Sequence, residues 1–598
     1  MKFFYTLAAA LCAGTAALNA APTDSIPGGT SAQTAALPSV ATQPKGQDEP
    51  NSYWGDPQKW NPFTATFAVQ SDLLYSLNDP KNQSDWQNWL GNTYINAKIS
   101  NNYLEIGTRL EELALPLPGH QDEKGRGIPH FYLTGRYSTR AELTLGDFYE
   151  QFGNGTLLRS YEERNLGIDN AIRGAKLALS PFDGVSLKAV VGQQRYYFDR
   201  TFEFFEKTRG YISGGDLELQ IDRWSPAMQH ARVGLSLGAS LVDKYEAGED
   251  ILFSRNGKSY KLNLPEHVPA FGGRMRFSYR DFVLNGEYAY KVNDPTATNN
   301  YIYKPGSVAM LSASYSQKGL SFLVQAKRSE NFNYVSKRSV LGNALHINHL
   351  PAFTNTQTYA LAALYPYATQ PDGEWAFQGE VRYTIPRKTW LGGKYGTALR
   401  LNYSHVRGLK KNYLEGVNPL EASTMFGTDG YTSPFFGMGD LYYSDFDVEI
   451  TKKFTKDFSL IFSYMHQIYN QLVVEGHSIN GDKVWSNIFI ADAKYKINKK
   501  LTIRAELQYL NSRQAEGDWW YGMAELSVLP YLMFSLSDQY NSGTTKEHYY
   551  MASATFSKGS HRLSASYGRT RAGMNCSGGV CRWMPQTKGF YLSYSANF

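Results

Sequence analysis

The sequence predicts an all-β protein: a transmembrane antiparallel up-and-down β-barrel of the outer membrane, with about 26 strands (range about 22–26). Three observations predict it: alternation of apolar and polar residues, high tyrosine content, and alternation of short turns with long loops. Tyr, Phe and Trp make up 14% of the chain, with 43 tyrosines. A transmembrane β-barrel accounts for this composition, because aromatic girdles lie at both membrane interfaces and only every second residue of a strand must be apolar.

The alternation is clearest in the last residues of the chain, KGFYLSYSANF. Phe590, Leu592, Tyr594 and Phe598 share one face of an extended strand, and polar residues between them share the other. An aromatic strand in this position closes the ring against the first strand, and it resembles the signal that the barrel-assembly machinery reads. We therefore expect Tyr594 and Phe598 to form an assembly signal.

The polar face of the predicted strands carries charges of both signs. Charged and apolar residues alternate in DLELQID (216–222), LRLNYS (399–404) and LTIRAELQY (501–509). A sandwich would bury apolar residues from two sheets, whereas a barrel with a wet lumen accounts for a charged inner face. The residues expected on the wall of the lumen are Glu218, Arg400, Arg504 and Glu506.

The start of the chain indicates export. Lys2, the apolar and small residues 7–17 and the small residues that follow predict a secretory signal peptide over 1–20. Residues 21–63, rich in Pro, Ser, Thr, Gly and Ala at their start, are expected to form a disordered periplasmic lead. The barrel, with its long extracellular loops, is then expected over 64–598.

Very short turns alternate with long polar loops along the predicted barrel. The short set lies at 100–102, 280–281, 317–319, 455–457, 498–500 and 558–561, and the long set at 76–92, 111–130, 243–267, 293–305, 408–440 and 470–486. Outer-membrane barrels have short periplasmic turns and long extracellular loops. This rule predicts the outer membrane of a Gram-negative bacterium, with both ends of the barrel in the periplasm.

One crossing of the membrane is missing from this pattern. Strand direction is consistent from Thr64 to about Asn333 and again from about Thr358 to Phe598, but the strands on both sides of the gap run outward. Bacterial single-chain barrels have even strand numbers. We therefore expect residues 334–357 to contain a poorly patterned strand or to cross the lumen.

The most distinctive loop is FGNGTLLRSYEERNLGIDNAIRG, residues 152–174, the third on the predicted outer side. In general porins the third loop folds into the lumen, so this position looks like theirs, although nothing else here matches that family. An ion-paired loop against a charged wall sets pore size and selectivity. The alternative is an exposed loop with a solvated charge run. The candidate constriction residues are Arg159, Glu162, Glu163, Arg164, Asp169 and Arg173.

This loop, followed by VVGQQRYYF (190–198) and LGGKYGTALRLNYS (391–404), resembles an outer-membrane β-barrel family of the Bacteroidota known only as a domain of unknown function. The resemblance covers most of the chain after the signal peptide. It implies the barrel and the compartment, and it brings no activity, cofactor or site residues.

Two cysteines in the last long loop are candidates for a disulfide. Cys576 and Cys581 lie in MNCSGGVCRW, where four residues can turn tightly enough to bring the sulfurs together, and the cell exterior is oxidising. Two free thiols or a metal site are the alternatives, and other metal ligands do not cluster nearby in the sequence. His346 and His349 would face opposite sides of a strand, so ordinary polar roles are expected for them.

The sequence shows no motif for catalysis, for a cofactor or for nucleic-acid binding. A nucleophile elbow, a metal-binding helix and a phosphate loop are all missing from it, and a net charge of +6 is small for 598 residues. We therefore expect a protein that is not an enzyme and does not bind nucleic acid.

Two functional interpretations remain. The first is a channel or transport barrel of unknown substrate, with a charged lumen narrowed by inward-folded segments. The second is a non-enzymatic component of a multi-protein outer-membrane secretion or assembly complex that docks partner proteins. A lumen crowded with paired charges favours the second, and a clear water path favours the first. Expected partners are outer-membrane lipid and lipopolysaccharide, the barrel-assembly machinery, and outer-membrane lipoproteins or other barrels.

Overall fold

The computed structural model of the protein describes residues 61–77, 88–198 and 210–598. The predicted signal peptide and residues 21–60 of the predicted lead lie outside the described residues. Helices among the described residues are short and lie in turns and loops: Gln121–Glu123, Arg164–Leu166, Ile221–Trp224, Pro226–His230, Ala297–Asn299, Ala422–Met425 and Gln471–Glu475. None of these helices is long and apolar enough to cross a lipid bilayer.

Antiparallel strands form one closed barrel of 24 strands. They are β1 (Thr64–Ser76), β2 (Trp89–Ser100), β3 (Leu104–Leu113), β4 (Gly125–Tyr137), β5 (Ala141–Phe148), β6 (Ile172–Leu179), β7 (Val185–Gln194), β8 (Tyr211–Gln220), β9 (Val233–Tyr245), β10 (His267–Tyr279), β11 (Phe282–Lys291), β12 (Gly306–Gln317), β13 (Leu320–Glu330), β14 (Gly373–Ile385), β15 (Thr397–Leu409), β16 (Met438–Lys453), β17 (Phe458–Asn470), β18 (Lys483–Lys496), β19 (Leu501–Ser512), β20 (Trp519–Val528), β21 (Leu532–Asn541), β22 (His548–Lys558), β23 (His561–Thr570) and β24 (Thr587–Asn597). Each strand pairs with the next along the chain, so the topology is up-and-down.

The first and last strands close the ring through their backbones. β24 pairs with β1 in antiparallel register, with Val69 opposite Ala596. Phe67 and Phe598 exchange two backbone hydrogen bonds, with N···O distances of 3.1 and 2.7 Å. Closure removes the two unpaired edges that an open sheet would expose.

Side chains alternate between two environments along each strand. On β13, Phe322 and Val324 point outward and are 41% and 62% exposed, whereas Lys327 on the inward row is completely buried. Large apolar residues on the outward rows of other strands are also exposed, among them Ile106, Leu145, Leu241, Phe271, Leu401, Phe489, Leu507 and Leu592. An apolar outer face and a polar inner face are what a barrel in lipid requires.

The connections separate to opposite ends of the barrel, which we call the short-turn end and the long-loop end. Connections such as 101–103 and 280–281 are short, whereas 149–171, 331–372 and 410–437 are long. Small hairpins lie within the long loops: Glu162–Glu163 with Ile168–Asp169, Leu252–Arg255 with Lys258–Lys261, Asn412–Tyr413 with Tyr431–Thr432, and Gly573–Ser577 with Val580–Met584.

The count of 24 strands lies inside the predicted range, but below the central prediction of about 26. The alternation predicts a strand starting near Thr358 and a further crossing within 334–357, and neither strand is present among the described residues. Glu330 at the end of β13 pairs directly with Gly373 at the start of β14. Residues 331–372 therefore form one loop. Its apolar residues resemble the apolar face of a strand in the sequence because they too are buried, in this case inside the barrel.

Deleting Phe598 is expected to lower the fraction of folded barrel, because Phe67 loses both of its backbone partners at the closing seam. The heat-modifiable band in cold electrophoresis measures this fraction. Phe598→Tyr keeps the backbone bonds and an aromatic ring, and serves as the control. Equal folded fractions for the deletion and the native chain would show that Phe598 contributes neither to closure nor to assembly.

Candidate functional site

Two loops of the long-loop end turn into the barrel and fill that part of the lumen. They are residues 149–171, between β5 and β6, and residues 331–372, between β13 and β14, and together we call them the plug. Phe152, Leu158 and Tyr334 of the plug are each at most 2% exposed. The plug therefore lies inside the barrel, which makes it the candidate functional site.

The 149–171 loop crosses the lumen to a distant wall. Asn154 donates to the carboxylate of Glu287 on β11, with 2.6 Å between nitrogen and oxygen. Phe152 packs in one hydrophobic cluster with Val242 of β9 and Val268 of β10. Since these strands are several positions from β5 in the ring, the loop spans the interior instead of following its own wall.

The two loops of the plug also bond to each other. The Arg159 N–H donates to the Ile347 carbonyl at 2.8 Å, and the His349 N–H donates to the Gly155 carbonyl at 3.0 Å. These backbone bonds join the loop that follows β5 to the loop that follows β13. The plug is therefore one folded unit.

The second half of the 331–372 loop runs along the wall formed by β15 to β20. Asn355 donates to Asp447 on β16, and the Leu361 N–H donates to the Gln508 side chain on β19, both at 2.8 Å. Leu361 and Trp519 of β20 belong to a second cluster of buried apolar residues. Backbone polar groups of the loop thus find their partners on the barrel wall.

A buried ion pair holds the 331–372 loop at its base. Lys327 on β13 and Glu374 on β14 have completely buried side chains, with Nζ 2.7 Å from Oε1. Lys327 also donates to the Pro351 carbonyl of the plug, and the Tyr367 hydroxyl donates to Glu374. Buried charges are tolerated only when they are paired and hydrogen-bonded. Wall and plug therefore depend on each other at this point.

A charged network joins the 149–171 loop to β3 and β7. Arg109 on β3 lies 2.8 Å from Glu162 and 3.2 Å from Asp169, measured between nitrogen and oxygen. Arg195, immediately after β7, pairs with Glu111 at 2.7 Å and also contacts Asp169. Burial raises the pKa of Asp169, but Arg195 and Arg109 outweigh burial and lower it to about 2. Asp169 therefore stays ionised at neutral pH.

The inward-folded loop contains most of the predicted constriction residues: Arg159, Glu162, Glu163, Arg164 and Asp169. Arg164 donates to the side chain of Gln70 on β1 at 2.7 Å, and its guanidinium lies 4.0 Å from the ring centroid of Tyr94 on β2. The loop thus touches the wall on the side opposite to Asn154. Among the described residues, Glu163 has no ion-pair partner.

Arg173 is not a constriction residue, and its predicted place in the lumen is wrong. It belongs to β6, where the preceding residue Ile172 packs into the interior cluster, so Arg173 points outward. It pairs with Asp147 of β5 at 2.8 Å, and both side chains are buried. The sequence hides this arrangement, because charged residues are costly on the outward face of a barrel strand and are expected elsewhere.

The predicted wall residues Glu218, Arg400, Arg504 and Glu506 lie on inward-facing rows and are all in ion pairs. Arg504 lies 2.6 Å from Glu506, and Arg400 lies 2.7 Å from Glu380. Glu218 pairs with an arginine of β10 at 3.1 Å. These four charges of the wall are therefore neutralised by their neighbours.

A hairpin of the last long loop covers the plug, and we call residues 573–584 the cap. Its strands place Cys576 opposite Cys581, and the two sulfurs are bonded. At the tip, the Gly579 carbonyl accepts a backbone hydrogen bond of 2.9 Å from the plug. Asn343 of the plug donates to the cap at 2.7 Å. The disulfide thus closes a hairpin that holds the plug from the long-loop end.

The two histidines of the sequence LHINHL lie within the plug. The ring of His349 is 6.1 Å from that of Tyr161 between centroids, in an edge-on arrangement. Burial, together with the nearby cations Arg159 and Lys327, lowers the pKa of His349 to about 3. This imidazole is therefore neutral at pH 7. In the part of the chain that the structure describes, no group of three or more His, Cys, Asp or Glu residues could hold a metal ion.

A cavity of about 680 Å³ lies beneath the 149–171 loop. Its lining extends from Arg109, which contacts the plug, to Lys98 and Arg136 near the short-turn ends of β2 and β4. Arg136 lies 3.2 Å from Glu105 and 2.9 Å from Glu142, so the wall of the cavity is charged and balanced. Solvent space therefore remains in the lumen on the short-turn side of the plug.

The residues that hold the plug are not marked as a motif in the sequence. Lys327, Glu374 and Asp447 each lie at a polar position in a strand where apolar and polar residues alternate. This alternation is the only sequence signal that could have identified them as inward-facing. Nothing in the sequence connects these charges with Pro351, Tyr367 and Asn355, their partners in the loop.

Replacing Lys327 with Met is expected to destabilise the barrel by about 3–5 kcal/mol, because Glu374 is left as a buried unpaired charge. The double variant Lys327→Met/Glu374→Met removes both charges and is expected to recover most of this loss. The temperature at which the compact electrophoretic form disappears measures both effects. A double variant that is no more stable than the single one would show that the ion pair is not the cause.

Acid is expected to loosen the plug through His349. Its pKa is about 3 in the folded protein, against about 6.5 for an exposed histidine. Folding therefore favours the neutral form, and the stabilisation present above about pH 6.5 is lost progressively toward pH 3. Hydrogen exchange of the 331–372 amides, corrected for the intrinsic pH effect, measures this loss. His349→Gln is expected to weaken the pH dependence, and an unchanged dependence would exclude His349 as its source.

Comparisons with solved structures find similar barrels at low identity. The chain is similar to the P pilus usher PapC translocation pore, with 11% identity and a TM-score of 0.40, over 89% of this chain and 99% of that chain. The siderophore receptor PirA from Pseudomonas aeruginosa has 8% identity and a TM-score of 0.41, over 89% of this chain and 80% of that chain. A mutant of the ferric enterobactin receptor PfeA from Pseudomonas aeruginosa has 10% identity and a TM-score of 0.42, over 89% and 80%. These values are too low to support a statement about function.

No curated protein sequence matches the chain. The model of a family of unknown function, DUF6029, matches residues 39–598, which is most of the chain. This agrees with the predicted membership of an uncharacterised family, whereas the Bacteroidota origin stays a prediction. The protein therefore belongs to the DUF6029 family of unknown function.

Proposed function

We propose that the protein is an outer-membrane transport barrel that its own plug closes, and that it conducts only when the plug moves. The observation that carries this proposal is the plug. Its two loops bond to each other and contact the wall from Gln70 on β1 to Gln508 on β19. Beneath the plug lies the solvent cavity of about 680 Å³.

The outer surface supports a place in the outer membrane. A closed sheet satisfies its backbone hydrogen bonds internally, which a chain surrounded by lipid requires. Trp485 and Trp520 near the long-loop end, and Tyr495 and Tyr531 near the short-turn end, are each about half exposed. Aromatic residues at both levels suit the two interfaces of a bilayer. In this orientation the short-turn end faces the periplasm, and the plug and cap face the cell exterior.

The contacts of the plug support movement rather than permanent closure. Apolar clusters hold its centre and the Arg109 network holds one edge, but other edges rest on individual hydrogen bonds such as Arg164 to Gln70 and Asn154 to Glu287. Bonds of this kind exchange for bonds to water at little cost in a solvated lumen. A stimulus that draws the cap or the plug toward either end would therefore open a path along the wall.

A different observation favours the second candidate, a component of an outer-membrane secretion or assembly complex. Charges on the wall are mutually paired, as in Arg274 with Asp216 at 2.7 Å and with Glu218 at 3.1 Å. Wall charges that are paired in this way guide ions poorly. Such a barrel would dock partner proteins and conduct little even without its plug, so conductance separates the two candidates.

The strand register allows the 331–372 loop to be removed while the barrel is kept. Glu330 pairs with Gly373, so residues 331–372 can be replaced by a two-residue Asn-Gly turn. The matched control replaces residues 471–482, a long loop outside the plug, between the paired residues Asn470 and Lys483. A milder variant, Cys576→Ser/Cys581→Ser, leaves both plug loops intact and releases only the cap. Heat-modifiability shows which variants fold.

Single-channel recording in planar bilayers tests the proposal. The native protein and the 471–482 control are expected to be silent, the variant without 331–372 to conduct steadily, and the cap variant to open briefly. Steady conductance of the native protein would overturn closure by the plug. Silence of the folded variants would overturn transport and leave the complex-component function.

A further inference from the structure

Basic residues dominate one sector of the short-turn end. The connections 386–396, 454–457 and 497–500 are neighbours, because β14 to β19 are consecutive in the ring. Exposed cations in or beside these turns are Arg387, Lys388, Lys394, Lys453, Lys456, Lys494, Lys496, Lys499 and Lys500. Asp457 is the only acidic residue in the three turns. We call this set of cations the basic mouth.

Ion pairs among the described residues do not neutralise the charge of the basic mouth. None of its cations forms an ion pair with another described residue. The acids next above it on the same wall are already engaged: Glu380 lies 2.6 Å from Arg382 and 2.7 Å from Arg400, and Asp492 lies 2.9 Å from Arg504. The basic mouth therefore presents a positive field to the solution at this end of the lumen.

An ordered turn presents a tryptophan beside these cations. Trp390 is 94% exposed and Leu391 is 56% exposed, both in the β14–β15 turn. The turn is held by a backbone bond from Lys388 to Gly393 of 2.7 Å, and Lys452 donates to the Leu391 carbonyl at 2.6 Å. An exposed tryptophan held by a fixed turn is suited to anchor a protein interface.

The strand register places part of the basic mouth on the lumen side. Asp492 on β18 accepts a bond of 3.3 Å from the plug residue Tyr359, so its row faces inward. Lys494 and Lys496 follow on the same row of β18, and Lys453 ends the inward row of β16. Lipids around the barrel cannot reach lumen-facing lysines. A ligand that uses the whole basic mouth must therefore come from the aqueous phase.

We propose that the basic mouth docks a soluble polypeptide segment rich in Asp and Glu, with an apolar side chain packed on Trp390. Opposite charge brings such a segment to the mouth and fixes its orientation, and the tryptophan supplies the desolvated anchor. This inference goes beyond the proposed function. It assigns a class of partner to the short-turn end, whether or not the barrel conducts.

The test measures binding of a fluorescent peptide of repeated Glu-Glu-Leu units to the full-length protein in phosphatidylcholine nanodiscs. Fluorescence anisotropy is expected to show binding that weakens with added salt, and no binding of a matched Lys-Lys-Leu peptide. Lys453→Gln/Lys494→Gln/Lys496→Gln is expected to weaken binding by about tenfold or more. Trp390→Ala is expected to weaken binding of the Glu-Glu-Leu peptide more than binding of poly-glutamate, because poly-glutamate has no leucine side chain to pack on the tryptophan.

The matched control is Lys258→Gln/Lys410→Gln/Lys546→Gln, which removes the same charge from exposed positions at the long-loop end. It is expected to leave binding unchanged. Equal losses in both triple variants would overturn the proposal in favour of a nonspecific charge effect, and absence of peptide binding would overturn it outright. Retention of phosphatidylglycerol by the same three lysines, without peptide binding, would identify a lipid site instead.

Discussion

The width of the barrel is the constraint on which the rest of the structure depends. A ring of 24 strands is too wide for side chains to meet across the lumen. Charged residues on the inner wall therefore need partners from neighbouring strands or from chain brought inside. Near the short-turn end neighbouring strands supply some of these partners, as Arg504 and Asp492 show at 2.9 Å, and the lysines of the basic mouth are exposed to solvent instead. At the long-loop end the plug supplies the partners: Asp169 for Arg109, and the Pro351 carbonyl for Lys327.

Strands were predictable because lipid imposes a simple pattern on them. Every barrel strand needs one apolar face, so alternation marks β19 and β24 within a few residues of their ends. The same rule fails between β13 and β14. Leu361 and Tyr365 are buried by the barrel wall rather than by lipid, and a pattern of apolar residues does not distinguish the two environments. The prediction for Arg173 is wrong for a different reason. A charged residue was expected to face inward, but Arg173 faces outward because it pairs there with the buried Asp147.

The plug was predictable only in part. Its third-loop position and dense charge suggested that the 149–171 loop folds inward, and a missing crossing drew attention to 334–357. The contacts that hold the plug could not be predicted, since Glu162 and Arg109 are far apart in the sequence and no periodicity links them. Pairing across a lumen is a tertiary property. The disulfide between Cys576 and Cys581 is local in the sequence, but its contact with the plug through Gly579 is also tertiary.

The proposed function depends on whether the plug closes the lumen between its two ends. Lys98 lines the cavity on the short-turn side of the plug, and its side chain is 43% exposed. The most direct measurement treats intact cells carrying Lys98→Cys with a membrane-impermeant maleimide that bears polyethylene glycol. A closed plug predicts no labelling from outside, and labelling once residues 331–372 are replaced by a short turn. Rapid labelling with the plug intact would contradict closure.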